Sequence, residues 1–350
     1  MAKYEAKTSS YKIISLLGQG FDGKAEVHLA KYLPTNEMLA IKKFDMDKIK
    51  EEAQLVEREI ILTRQLQHPR IISYHLAFVN GPSVWVISSL MAFGSCRDLL
   101  SRYFNDGLPE NAIILILRDV LDALDYIHKK GFIHRAIKAS HILISATGKA
   151  CLTGLRYACP MVVNGKWQKS IHSFPASTAG NLNWLSPELL EQNLLGYNEK
   201  SDIYSVGITM CELANGQEPF AGTTTTLMLT EKVRGCAPQL LDCVTFPRGL
   251  ALESSGDCDS KSIENRKFSE DLHSVAELCM QRDAYYRPTA EQLLTHPLFK
   301  SHKKSMPLPD LLKPALPMSD RVAYNKDDVT NLDTINRLSQ MEIYTCEWDF

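Results

Sequence analysis

The sequence predicts an α+β protein in which a small strand-rich portion comes first and a larger helical portion follows. Residues 11–42 hold three short apolar runs separated by glycine and turn residues, the punctuation of consecutive strands. Farther on, Ile113, Ile114, Leu117, Val120, Leu121, Leu124 and Ile127 repeat at helical spacing and mark a buried helix. A length of 350 residues suits one large two-lobed domain or two ordinary ones, and 45% hydrophobic content is ample for a sizeable core.

Each element follows in order. The first strand runs from Tyr11 to Leu17 and ends in Gly18-Gln19-Gly20-Phe21-Asp22-Gly23. By letters this is G-x-G-x-x-G, a loop that several folds use to bring backbone against phosphate. A second strand begins near Val27-His28-Leu29-Ala30, and Pro34-Thr35-Asn36-Glu37 turns into a third, Leu39-Ala40-Ile41-Lys42. A charged helix spans roughly Asp47 to Gln67 and stops before His68-Pro69. Val84-Trp85-Val86-Ile87 is a short strand leading into Ser88-Ser89-Leu90-Met91. Gly94-Ser95 and Asp98-Leu99 start a helix, and Pro109-Glu110 opens the long apolar one with proline in its first turn. Another helix starts at Ser201-Asp202-Ile203-Tyr204-Ser205-Val206-Gly207 and stops at Asn215-Gly216. Residues 248–267 are polar and read as an inserted loop. Thr289 and Gln292 form a capping box for the last helix, and His296-Pro297-Leu298-Phe299 closes the domain. Residues 1–10 are an N-terminal extension, and the tail 300–350 ends in Trp348-Asp349-Phe350.

Composition narrows the function classes. A formal net charge of −2 without a long basic run argues against nucleic acid as a partner. Nine cysteines without a C-x-x-C pair suit reduced thiols of a cytosolic or nuclear protein, and no tetrad spacing suggests zinc. The start lacks the apolar core of a signal peptide, and the longest apolar run, Ala112 to Leu117, is too short to span a bilayer.

The stretch His134-Arg135-Ala136-Ile137-Lys138-Ala139-Ser140-His141, followed by Leu152-Thr153-Gly154-Leu155-Arg156, resembles the catalytic and metal loops of eukaryotic protein kinases. Leu39-Ala40-Ile41-Lys42 resembles their lysine strand, Glu59 their helix glutamate, and Ser88 to Met91 their hinge. Trp184-Leu185-Ser186-Pro187-Glu188 resembles the A-P-E ending, and Arg287 the arginine that pairs with its glutamate. The resemblance covers residues 11–299 and implies a bilobal protein-kinase-like fold, with an N-lobe of about 11–88 and a C-lobe of about 92–299. Kinases place a proton-accepting Asp, an Asn and a second, metal-holding Asp where this chain has Ala136, His141 and Gly154. The framework is kept and the groups that perform transfer are gone. The loop departs too: its second glycine precedes Val27 by seven positions, against five in ordinary kinases, so Gly23 need not lie over the phosphates.

Ile137 to Ser145, Trp184 to Glu188, Lys200 to Thr209, Gly154-Leu155-Arg156 and the terminal Trp348-Asp349-Phe350 look like the STRAD family, the sterile-twenty-related adaptor pseudokinases. That resemblance implies a catalytically inactive protein that binds ATP without needing magnesium and activates a liver-kinase-B-type serine/threonine kinase. It further implies a helical-repeat scaffold of the mouse-protein-twenty-five class that grips the C-terminal tripeptide, where Asp349 replaces the family's Glu. The implied nucleotide site comprises Gly18, Gly20, Gly23, Lys42, Glu59 and Arg156 around the phosphates. Val27, Ala40 and Leu143 sandwich the base, and backbone groups around Ser89 and Met91 meet its edge. Arg156 either turns its fork of donors to the triphosphate or points to solvent; His141 helps only if protonated. Competing readings are an unorthodox kinase or nucleotide transferase, and a scaffold that binds no nucleotide.

Overall fold

The computed structural model describes residues 3–21, 23–174, 179–192, 195–245, 265–300 and 306–318. Asp22, most of the expected insertion and Trp348-Asp349-Phe350 lie outside these described residues. Strands β1 (Tyr11–Gly20), β2 (Ala25–Tyr32), β3 (Glu37–Asp45), β4 (Tyr74–Asn80) and β5 (Ser83–Ser89) form an antiparallel sheet in the order β1-β2-β3-β5-β4. Helix α1 (Ala53–Gln65) lies between β3 and β4 in the chain, and the return strand that pairs with β3 is β5. The strand β4 has no counterpart among the sequence expectations.

The charged helix begins at Ala53 and not at Asp47. Asp45 explains the difference, because its carboxylate accepts the N–H of Asp47 at 3.1 Å and holds the chain in a turn before the helix can start. Opposed residues sort the sheet into two faces. Ala25, Val27 and Leu29 stand opposite Phe44, Lys42 and Ala40, which in turn stand opposite Val84, Val86 and Ser88. The other face carries Tyr11, Ala30, Tyr32, Leu39, Ile41, Trp85 and Ile87, and Tyr4 belongs to the same cluster. Tyr4 packs edge-on against Tyr32 at 5.2 Å and donates its hydroxyl to Glu37 at 3.1 Å. The N-terminal extension is thus part of the small lobe from residue 3 onward.

The larger lobe is built on helices α2 (Cys96–Tyr103), α3 (Glu110–Lys129), α4 (Pro187–Glu191), α5 (Lys200–Asn215) and α6 (Thr225–Arg234). Pro109 is the residue before α3, with an extended φ of −61° and ψ of 144°, not a member of its first turn. The expected stripe of α3 is fully buried, each such Leu, Ile or Val contributing about 1.5–3 kcal/mol. Helix α5 is buried from Ser201 to Ala214 and ends at Gly216, whose φ of 75° suits a residue without a Cβ. Strands β6 (Gly94–Ser95), β7 (Phe132–Ile133), β8 (Ile142–Ile144) and β9 (Ala150–Leu152) frame the floor of the cleft between lobes. Arg287 and Glu188 form the expected pair, bidentate at 2.7 and 2.8 Å. The capping box of Thr289 and Gln292 is present, though two more short helices, Pro297–Lys300 and Leu308–Leu311, follow it.

Two segments expected to be peripheral are anchored. Arg266, at the end of the polar stretch, donates to the carbonyl oxygens of Ala214 at 2.7 Å and Leu241 at 3.0 Å. Within the tail, Leu308, Leu312 and Ala315 join the main core, and Met318 N–H donates to Ala92 O at 2.7 Å. Residues 306–318 therefore form a strap that packs Leu308 and Pro309 against the Gly148 turn between β8 and β9 and reaches the hinge at Ala92. A Cβ at Gly94, where φ is +76°, would lie 2.9 Å from the Met318 methyl, so the strap packs directly on this glycine. Among the described residues no helix is long and apolar enough to cross a membrane.

Candidate functional site

Strand alternation turns Lys42 from β3 into the cleft, and α1 brings Glu59 to it. Lys42 Nζ lies 2.7 Å from Glu59 Oε1, and the same oxygen accepts the Tyr74 hydroxyl at 2.6 Å. Burial lowers the Lys42 pKa, with Glu59 opposing that shift. Burial by itself raises the Glu59 carboxyl, but the charges of Lys42 and Arg156 and both hydrogen bonds outweigh it, so the group sits below its ordinary value. The pair is ionised and internal, not a surface contact. Tyr74, on the strand that sequence patterning missed, completes it.

The loop after β7 is fixed from below by α5. Asp202 accepts the N–H groups of His134 at 2.7 Å and Arg135 at 2.8 Å, and binds the His128 ring at 2.8 Å. His134 contacts Thr153 O through Nε2 at 3.0 Å, and burial drives its pKa down to about 4, so it props the backbone as a neutral ring. Arg135, held at φ 63°, donates to Tyr157 O at 2.7 Å and to the Tyr197 hydroxyl at 2.9 Å. Glu212 accepts Ala139 N–H at 3.0 Å and Trp184 Nε1–H at 2.8 Å on one oxygen. Burial raises its pKa to about 7.

At the centre of this frame the three altered positions meet. Ala136 is buried and offers a methyl group. His141 donates through Nδ1 to Ala136 O at 2.7 Å, and burial, then the charges of Lys138 and Arg156, hold it well below its ordinary pKa. Its ring occupies the space beside Gly154, where a Cβ would lie 2.8 Å from Nδ1. The neutral imidazole lends no cationic charge, so that part of the expectation is set aside. This donor set of methyl, neutral imidazole and glycine hydrogen does not fit a magnesium ion, which takes carboxylates and water.

Arg156 does not point to solvent. It is 7% exposed, with its guanidinium carbon 4.5 Å from the Phe21 ring and 4.6 Å from the Tyr157 ring. Phe21 stands at the tip of the glycine stretch, which is a tight hairpin: Gly18 pairs with Val27, Gly20 with Ala25, and Lys24 N–H donates to Phe21 O at 3.1 Å. Gly23, at φ +76°, serves the turn of that hairpin. Gly20 approaches the lysine closely enough that a Cβ would lie 3.9 Å from Lys42 Cε.

The base-binding residues are brought together. Val27 and Ala40 share the cleft face of the sheet with Lys42, joined by Ser88, a hinge residue not expected among those that meet the base. Met91 and the half-buried Leu143 belong to the same apolar cluster as Phe21 and Phe44. Ser89 faces the opposite side, its hydroxyl 2.9 Å from the His75 ring, so only its backbone is relevant to a ligand. An apolar slot beside two cations, Lys42 and Arg156, fits a base carrying phosphates.

Comparison with known proteins agrees with this geometry. Residues 11–299 match the family described as Protein kinase domain. The chain is 38% identical to STE20-related kinase adapter protein alpha of Mus musculus over its whole length and 86% of that protein. It is 40% identical to the alpha protein of Gallus gallus, covering 91% of this chain and 88% of that one. Against STE20-related kinase adapter protein beta of Mus musculus it is 38% identical, over 95% of this chain and 84% of the relative. With the kinase frame intact and relatives so named covering nearly the full chain, the protein belongs to the STE20-related kinase adapter family, the STRAD pseudokinase adaptors.

Proposed function

We propose that this chain binds ATP without magnesium, transfers no phosphate, and activates a liver-kinase-B-type serine/threonine kinase as an adaptor. A helical-repeat scaffold of the mouse-protein-twenty-five class holds it through Trp348-Asp349-Phe350. The observation that carries the reading is charge replacement: Lys42 and Arg156 lie at a cleft whose metal-ligand positions hold Ala136, His141 and Gly154. Phosphoryl transfer requires metal-borne charge stabilisation and a base to orient the nucleophile, whereas binding requires only complementary charge and an apolar slot. The relatives' name, kinase adapter protein, supports a kinase as the partner. Nucleotide binding would favour the closed arrangement of the two lobes by its differential affinity for it.

Isothermal titration of the full chain with ATP in excess chelator tests the reading. Binding is expected with and without chelator, and Arg156→Ala weakens it by roughly 10-fold or more, the scale of a lost charge-assisted contact. Unchanged affinity in that variant, or phosphate transfer by the wild type that Lys42→Ala abolishes, would overturn it.

A further inference from the structure

Phe21 is the one large apolar side chain of the glycine hairpin, yet it is only 4% exposed and sits at φ 59°, where residues other than glycine are uncommon. Its ring meets Phe44 edge-on at 5.7 Å, and Lys42 Nζ lies 4.7 Å from the Phe44 centroid. On its other side it meets the Arg156 guanidinium, which Tyr157 also contacts at 4.6 Å. Lys42, Phe44, Phe21, Arg156 and Tyr157 thus form a ladder across the cleft in which two cations are joined through a pair of rings.

We propose that Phe21 is a positioning residue for anion binding: with Tyr157 it holds the Arg156 guanidinium in a fixed plane and draws the glycine hairpin down over it. The proposal rests on the reading of Arg156 as a phosphate ligand. Guanidinium donors lie in the plane of the group; one of them, Nη2, donates to the Tyr157 hydroxyl at 2.8 Å and so fixes that plane, while the Phe21 ring takes none of the donors that would turn to a phosphate. The rings also exclude water from the faces, which strengthens each charge-assisted bond made at the edge. A long side chain already immobilised loses less freedom when an anion arrives. In a metal-dependent kinase the ion gathers the phosphates beneath the loop; here the ladder performs that closure with protein groups alone.

The test is titration of the full-length protein, in chelator, with ATP and with adenosine. Variants are Phe21→Ala, Phe21→Tyr, Arg156→Ala and the Phe21/Arg156 double alanine. Phe21→Ala is expected to weaken ATP roughly 10-fold, the scale of a desolvated cation–π contact, and to leave adenosine unchanged. Phe21→Tyr restores the affinity, and Phe21→Ala adds nothing once Arg156 is alanine. Tighter ATP binding in Phe21→Ala would overturn the proposal by showing a stopper that competes with phosphate. Unchanged ATP affinity, or equal losses for ATP and adenosine, overturns it as well. An Arg156→Ala variant that binds ATP like wild type removes the phosphate-ligand reading itself, a result distinct from the Phe21 outcomes.

Discussion

At Gly154 a carboxylate cannot simply be restored. The backbone there has φ 91°, and an added Cβ would press on the His141 ring at 2.8 Å. Gly154→Asp alone should lower stability by roughly 2–4 kcal/mol, from overpacking and left-handed strain together. Adding His141→Asn should return the overpacking share, and chemical denaturation of the single and double variants measures the difference. Glu212 offers a second prediction. Its pKa is raised from 4.5 to about 7 in the fold, so its contribution is full below pH 4.5 and is lost as pH rises towards 7. Glutamine keeps both donors, which share one oxygen. Glu212→Gln should therefore match wild type near pH 4.5 and exceed it above pH 7 by up to about 3 kcal/mol, read from urea midpoints at both values. Lys42, Glu59, His141 and Gly154 were legible in the sequence because each belongs to a spaced motif. Phe21 and Tyr74 were not: a positive φ buries the first, and the second rides on a strand with an irregular register.

Among the elements, the long helices were the most readable, since α3 and α5 carry apolar periodicity and a glycine stop. Boundaries moved where a polar side chain intervened, as Asp45 does ahead of α1. The strap is the element that patterning could not supply. Leu308, Leu312 and Ala315 are three apolar residues in a short, proline-interrupted stretch, and only the receiving surface reveals their use. A chain ending at residue 318 should melt within about a degree or two of the full-length protein, whereas one ending at 305 should melt many degrees lower. Deleting buried leucines costs about 2–5 kcal/mol each, and calorimetry of the two truncations reads the gap directly.

For the whole molecule, two lobes with an intact Lys42–Glu59 pair and a clamped loop form a kinase frame with Ala136, His141 and Gly154 at its centre. Partner capture then falls to surfaces and ends. On the proposed scaffold binding, removing Trp348-Asp349-Phe350 should abolish capture by the helical-repeat scaffold in a pull-down with purified components, because aromatic anchors carry a large share of such affinity. The melting temperature should stay within about a degree, since the core of the described residues is closed by segments running from Tyr4 to Ala315.

The strap also bears on chemical probes of the cleft. Ala92 O, one residue past Met91, already accepts the Met318 N–H at 2.7 Å. A small molecule seated in the base slot and extended outward past the hinge meets the protein's own polypeptide there, not open water. Compounds whose solubilising groups leave active kinases by that exit would have to displace Met318 to bind in the same pose. Inhibitors that stop short of the hinge's outer edge, or turn instead towards Arg156, are the ones this protein should accept.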